Sequence, residues 1–250
     1  MKQTCVNCIS DFNGNFCSNC GHSGRVKRID KHYVEHELLH LFHIERGFLY
    51  TAHQLFVRPG HTIKEYLAGQ RFQHMKPIPF LIFASLIYTI LIKLIGVYAT
   101  IGQDYIKDLK DSIAGKMYTW VQTNYGYSNI LMGSFVALFL YLFFKKQKYN
   151  FFEVLTMLCF IFGQGMLIYG FLSVLEKAFK IENWGYLDAS LIMYLYCIVA
   201  ITQFYYNGQK IITFLKVTIA YFLGGAIFYI GMMITGLLLD NCVTLYHRYF

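Results

Sequence analysis

The chain changes character at Pro77. Beyond it come five long apolar runs, at about 79–99, 128–144, 152–175, 187–206 and 214–239. Each is near the ~20 residues that a helix needs to cross ~30 Å of hydrocarbon. In lipid, helices satisfy their own backbone hydrogen bonds and outward-facing Leu, Ile and Phe become favourable. The pattern therefore predicts an all-α membrane protein with about five transmembrane helices. Upstream, between Asp30 and Val57, Val34, Leu38, Leu41, Phe48, Leu49 and Leu55 fall on one face at a helical period, as in an amphipathic helix. After the turn Arg58-Pro59-Gly60, Thr62 and Glu65 stand at capping-box spacing and open a second helix. Ile63, Tyr66, Leu67 and Phe72 give it an apolar side, with Lys64, Arg71 and Lys76 as the basic complement. Such a segment is expected to lie on anionic cytosolic lipid until Pro77 and Pro79 break it. Between the first two runs, Ile106, Leu109, Ile113, Met117 and Trp120 recur at helical spacing, which predicts an outer helix on the membrane surface near 103–122. The chain divides accordingly into an N-terminal segment 1–24, amphipathic or interfacial helices over 25–76, and a helical bundle over 77–250.

Composition agrees with this division. Residues are 56% hydrophobic, 18% aromatic and only 14% charged, and a soluble domain has nowhere to bury that much apolar surface. The formal net charge of +8 raises the question of nucleic acid. The basic residues concentrate at segment ends, with Lys145, Lys146 and Lys148 in one group and Arg25, Lys27 and Arg28 in another, so no nucleic-acid partner is expected. The same residues orient the bundle. The loops holding Lys145, Lys146 and Lys148, and Lys210 near Lys216, belong inside. The loop after the first run balances Asp104, Asp108 and Asp111 against Lys107, Lys110 and Lys116; the loop after the third sets Glu176, Glu182 and Asp188 against Lys177 and Lys180. Those two belong outside, giving a cytosolic N-terminus and an external C-terminus. Met1-Lys2-Gln3-Thr4-Cys5 shows neither an apolar h-region nor a small-residue cleavage site, so this end is expected to be retained.

Two Cys-x-x-Cys knuckles, Cys5 with Cys8 and Cys17 with Cys20, carry the clearest chemistry. Thiolates three residues apart on a tight turn occupy one edge of a tetrahedron, and the second knuckle supplies the other. Gly14 and Gly21 provide the turns, and so short a unit has no hydrophobic core to hold it without metal. Four thiolates leave no open position, so the site is structural, with zinc as the expected ion; rubredoxin-like iron and a disulfide pair are the alternatives. A reducing cytosol argues against disulfides. Cys159, Cys197 and Cys242 are isolated, and the first two read as buried apolar residues.

His32, His36, His40 and His43 share an arc opposite the apolar face of the first amphipathic stretch. Within it, His36-Glu37-Leu38-Leu39-His40 matches H-E-x-x-H and resembles the metal helix of gluzincin peptidases, which implies His36 and His40 as zinc ligands, Glu37 as base and Glu65 as a third ligand. The face admits two other readings, a non-catalytic metal or pH-sensing surface and a solvated helix face, and the last is the simplest. Inside the spans the costly polar groups are Lys93, Glu153, Gln164 and Lys216. Gln164 stands mid-run between Gly163 and Gly165, whereas the others lie near enough to an interface to be solvated or paired. Gly224, Gly225, Gly231 and Gly236 give the fifth run smooth surfaces for helix packing, with a hinge or channel lining as the alternative, and the bundle as a whole offers an interface to a second copy of the chain.

The two-knuckle segment is followed by Arg46-Gly47-Phe48-Leu49-Tyr50-Thr51, Arg58-Pro59-Gly60 and Tyr66-Leu67-Ala68-Gly69-Gln70-Arg71, with a proline before the first run. In that order, over roughly the first third of the chain, these motifs resemble a bacterial family of integral membrane proteins of unknown function that carry an N-terminal four-cysteine zinc ribbon. The resemblance implies the same architecture in a bacterial inner (plasma) membrane and supplies no reaction. The functional expectation is a non-enzymatic docking or scaffold protein whose cytosolic zinc ribbon meets a protein partner, with the lipid bilayer as its other contact. A small transporter or channel, and a zinc metallopeptidase, are the rival readings.

Overall fold

The computed structural model describes residues 2–24, 47–95, 112–179 and 189–249. The histidine face and its H-E-x-x-H string, together with Ile106 and Leu109 of the outer loop, lie outside those residues.

At the N-terminal end, β1 (Lys2–Thr4) and β2 (Asp11–Asn13) pair antiparallel with Gln3 opposite Phe12, and a bridge joins Phe16 to Ser23. Each pairing closes one cysteine knuckle. Phe12 packs with Cys5 and Cys17, and that small cluster is all the apolar core this unit has.

Eight α-helices follow among the described residues: α1 (Phe48–Val57), α2 (Pro59–Ala68), α3 (Pro77–Ile95), α4 (Ile113–Thr123), α5 (Tyr125–Phe143), α6 (Phe151–Ala178), α7 (Ala189–Tyr205) and α8 (Lys210–Tyr249). Four of them, α3, α5, α6 and α8, are long and apolar enough to cross a membrane, and α7 is a shorter apolar helix of 17 residues. The chain is thus an all-α, multi-pass membrane protein, and each of its five apolar runs forms a helix over nearly all of its described residues. Leu86, Leu94, Phe171, Phe222 and Leu238 turn outward, as lipid allows and water does not.

The most buried helix is α6, and the others gather round it. It runs parallel to α3, since Gly163 faces Phe80 and Leu81 while Gly170 faces Tyr88 and Leu91. Gly165 faces Met193 and Cys197 of α7, and Phe162 lies against Gly133 of α5. On the far side α5 and α8 cross where Gly224 meets the backbone of Val136. Because α3 and α6 run parallel, Pro77 and the lysine-rich turn Lys145–Gln147 stand at the same end of the bundle.

The pair α1–α2 packs one apolar side into the bundle, while Leu49, Phe56 and Val57 stay exposed. Leu55, Ile63 and Tyr66 are fully buried in the main core, Tyr66 edge-on to Phe160 and Phe48 against Phe80 and Phe83. Gly60 fits against the backbone of Gln203 and Phe204, and the Tyr196 hydroxyl donates to the Leu55 carbonyl at 3.0 Å. The hairpin is a wedge set into the end of the bundle against α6 and α7. Its second helix also starts earlier than capping-box spacing suggests. Pro59 occupies the first turn, where its fixed φ and missing N–H suit a helix start. Thr62 therefore sits inside the helix, donating to the carbonyls of Gln54 and Arg58.

The outer surface helix is described as α4, and it too packs on protein. Ala114 and Val121 are buried, Gly236 of α8 abuts Ala114, and Trp120 remains half exposed. Its N-terminus is held twice. The Ser112 hydroxyl accepts from Gly115 N–H at 3.0 Å, and the Asp240 carboxylate accepts from Ile113 N–H at 2.7 Å and Ala114 N–H at 3.3 Å. Negative charge at a helix N-terminus is favourable because the unpaired N–H groups and the helix dipole both point at it.

Candidate metal centre

The knuckles repeat one another around an approximate two-fold. In the first, Cys5 N–H donates to Ser10 O at 2.9 Å and Ile9 N–H to Cys5 O at 2.9 Å; in the second, Cys17 N–H donates to His22 O at 2.7 Å and Gly21 N–H to Cys17 O at 2.8 Å. The residue after each second cysteine is left-handed, Ile9 at φ 61° and Gly21 at φ 71°. Glycine takes that conformation without steric cost, whereas an L residue incurs about 1–2 kcal/mol, and a β-branched one is an outlier there.

This frame brings the four sulfurs together. All lie within 4.8 Å of one another, with Cys5 Sγ 3.6 Å from Cys20 Sγ and Cys8 Sγ 3.5 Å from Cys17 Sγ. A tetrahedral centre with metal–sulfur bonds of about 2.3 Å places its sulfurs about 3.8 Å apart. The donor set fits a metal ion, and all four thiols are free. Two neighbours shape the outer contacts: the Ser10 hydroxyl lies 2.7 Å from Cys8 Sγ and 3.4 Å from Cys17 Sγ, and the Asn7 amide donates to Cys20 Sγ at 3.7 Å. Such contacts orient ligands and spread thiolate charge.

Protonation distinguishes Cys8 and Cys17 from Cys20. The Ser10 hydroxyl, joined by the Ser10 backbone N–H, pulls Cys8 down to about 5. The same hydroxyl lowers Cys17, helped by the N–H groups of Cys20 and Asn19. At Cys20 the His22 backbone N–H favours the thiolate, but desolvation and the thiols of Cys8 and Cys5 outweigh it and push the group up to about 11. Without a cation the cluster does not carry four negative charges. A divalent ion permits it, which couples metal binding to proton release and to folding.

The other sequence-selected residues are dispersed. Glu65 Oε2 lies 3.2 Å from His61 Nδ1 and 3.8 Å from Arg58, a polar cluster at α2, while His36, Glu37 and His40 fall outside the described residues. Glu153 is a structural cap. Its carboxylate accepts from Asn150 N–H at 2.7 Å, and the Asn150 side chain accepts from Glu153 N–H at 2.9 Å. Lys93 and Lys216 are exposed on α3 and α8. Gln164 is buried in α6 with its Oε1 unpartnered among the described residues.

The described structure also contains polar groups that hydropathy and motif spacing do not single out: Ser10 and Asn7 beside the sulfurs, and His74, buried with Nδ1 unpartnered among the described residues. No curated protein and no solved structure matches the chain. Residues 45–89 match a family model described as a protein of unknown function, DUF3667. The match spans the α1–α2 wedge, its linker and much of α3, and the knuckles lie outside it.

Proposed function

We propose that the chain is a non-enzymatic docking protein of a bacterial inner membrane, in which a cytosolic ribbon closed by one structural zinc ion presents an apolar face to a protein partner. The bundle serves as its anchor. Four thiolates at tetrahedral spacing favour zinc and leave no position for substrate. The lysine-rich turn at the same end as Pro77 supports a cytosolic N-terminal side.

Ile9 carries the reading. It stands where the second knuckle has Gly21, adopts the left-handed backbone, and leaves its side chain 80% exposed. Phe16 and Val6 are exposed as well, so the unit turns three large apolar side chains outward and keeps Phe12 inside. Local strain combined with apolar exposure on a metal-held loop fits a recognition surface.

The test uses the full-length protein in native membranes, with partner capture scored beside metal content. Ile9→Gly combined with Phe16→Ser should keep the zinc, relieve about 1–2 kcal/mol of backbone strain, and weaken capture about tenfold or more. Cys5→Ser with Cys8→Ser should abolish both metal and capture, and Glu37→Gln should change neither. A partner held equally well by the Ile9→Gly, Phe16→Ser protein sinks the docking reading. Loss of a proteolytic activity on Glu37→Gln would favour the peptidase instead.

A further inference from the structure

Helices α3 and α5 both pack along α6 but meet each other only sparingly, closing together where Gly126 abuts Ser85. Toward the start of α3 they leave a crevice of about 350 Å³ over α6. Leu81, Leu158 and Phe162 are among its apolar walls. Ile82 and Ile130 on its rim are 43% and 42% exposed, on helices that face hydrocarbon. What fills it therefore comes from the bilayer.

Acyl chains alone do not account for the lining. Asn129 and Thr156 both line the crevice, are 6% and 5% exposed, and have no hydrogen-bond partner among the described residues. Thr156 does not bond back to its own helix, as Ser128, Thr202 and Thr218 do. An amide and a hydroxyl left bare against hydrocarbon are costly, because no water is present to satisfy them. Lys76 completes the lining, directly before α3 and at the end of the bundle that carries the lysine-rich turn.

We propose that this crevice is a binding site for one anionic phospholipid, with an acyl chain along the apolar walls, its ester groups at Asn129 and Thr156, and its phosphate at Lys76. A crevice of about 350 Å³ has room for a stretch of one acyl chain. Ester oxygens accept hydrogen bonds from the amide and the hydroxyl at once. The ammonium complements the uncompensated phosphate of an anionic lipid, whereas a zwitterionic head group brings its own cation beside the phosphate.

Native mass spectrometry of the full-length protein, offered phosphatidylglycerol and phosphatidylcholine after delipidation, tests this. The wild type should hold one phosphatidylglycerol in preference to phosphatidylcholine. Asn129→Leu with Thr156→Val should weaken retention about tenfold, the effect of losing one or two buried hydrogen bonds. Lys76→Gln should erase the preference between the head groups. Ile82→Trp, at a lipid-exposed rim position where folding is not at stake, should obstruct entry and lower occupancy by itself. Retention unchanged in both Asn129→Leu, Thr156→Val and Ile82→Trp, or a wild type indifferent to head group, overturns the proposal.

Discussion

Replacing Gly60 with alanine presses on the joint that holds the α1–α2 wedge in the bundle. A Cβ at this position meets the carbonyl carbon and Cβ of Gln203, and the amide nitrogen of Phe204, each at 2.6 Å. Ordinary carbon contacts sit at about 3.5–4.0 Å, so the wedge must move out by about 1 Å. The obstacle is largely backbone of α7 and cannot swing aside as a side-chain end does. Overpacking of this kind costs about 1–3 kcal/mol, and the helix propensity of alanine returns at most about 1 kcal/mol. We expect a net loss of about 1–2 kcal/mol, concentrated in the wedge. Moving out also stretches the 3.0 Å bond from the Tyr196 hydroxyl to the Leu55 carbonyl. Thiol labelling of a Thr51→Cys reporter, at a fully buried wedge position, reads the opening directly. It should speed up by about 5–30-fold in Gly60→Ala. Gly231→Ala is the control: nothing lies within 4 Å of the added atom, so it should leave labelling unchanged and stabilise α8 slightly. Wild-type labelling in Gly60→Ala would refute the reasoning.

Acid should loosen the linker beneath the wedge. Burial lowers the His74 pKa below its ordinary 6.5, with Glu65 opposing and Arg58 assisting. The folded state therefore prefers neutral His74; its contribution is complete above 6.5 and is lost as the pH falls through 6.5 toward the lowered value. Thermal unfolding on either side of that pH should show the loss, and His74→Phe should flatten it. At the outer helix, Asp240→Ala should cost about 1 kcal/mol by stripping two acceptors from the start of α4, read as faster proteolytic nicking near Ser112. An unchanged nicking rate would mean that the Ser112 cap suffices.

What the sequence discloses depends on the physical range of each interaction. The cysteine cluster is legible because metal geometry dictates local spacing, two knuckles each closing on themselves. The five apolar runs are legible because lipid contact demands ~20 apolar residues in a row. Their ends are less so. Hydropathy reports lipid contact, whereas α8 keeps its backbone bonded from Lys210 to Tyr249 through polar residues. The place of the wedge is hidden for a related reason. Leu55, Ile63 and Tyr66 make an apolar stripe that satisfies lipid and protein equally, and only the close fit of Gly60 against α7 decides between them. Asp240 capping a helix 126 and 127 residues earlier has no local signal at all. Gln164 stands out because it is polar in mid-run, while Asn129 is lost beside Tyr127 and Ser128, and Thr156, one turn into α6, is mild enough in hydropathy to pass within an apolar run.

The most direct test of the account is sulfur and metal analysis of the purified full-length chain by X-ray absorption, with elemental quantification of the same sample. The expected result is one zinc per chain, four sulfur neighbours at about 2.3 Å, and Cys5, Cys8, Cys17 and Cys20 protected from alkylation until a chelator is added. Metal-free protein with those four thiols open to alkylation, or a zinc whose neighbours are nitrogen and oxygen, contradicts it.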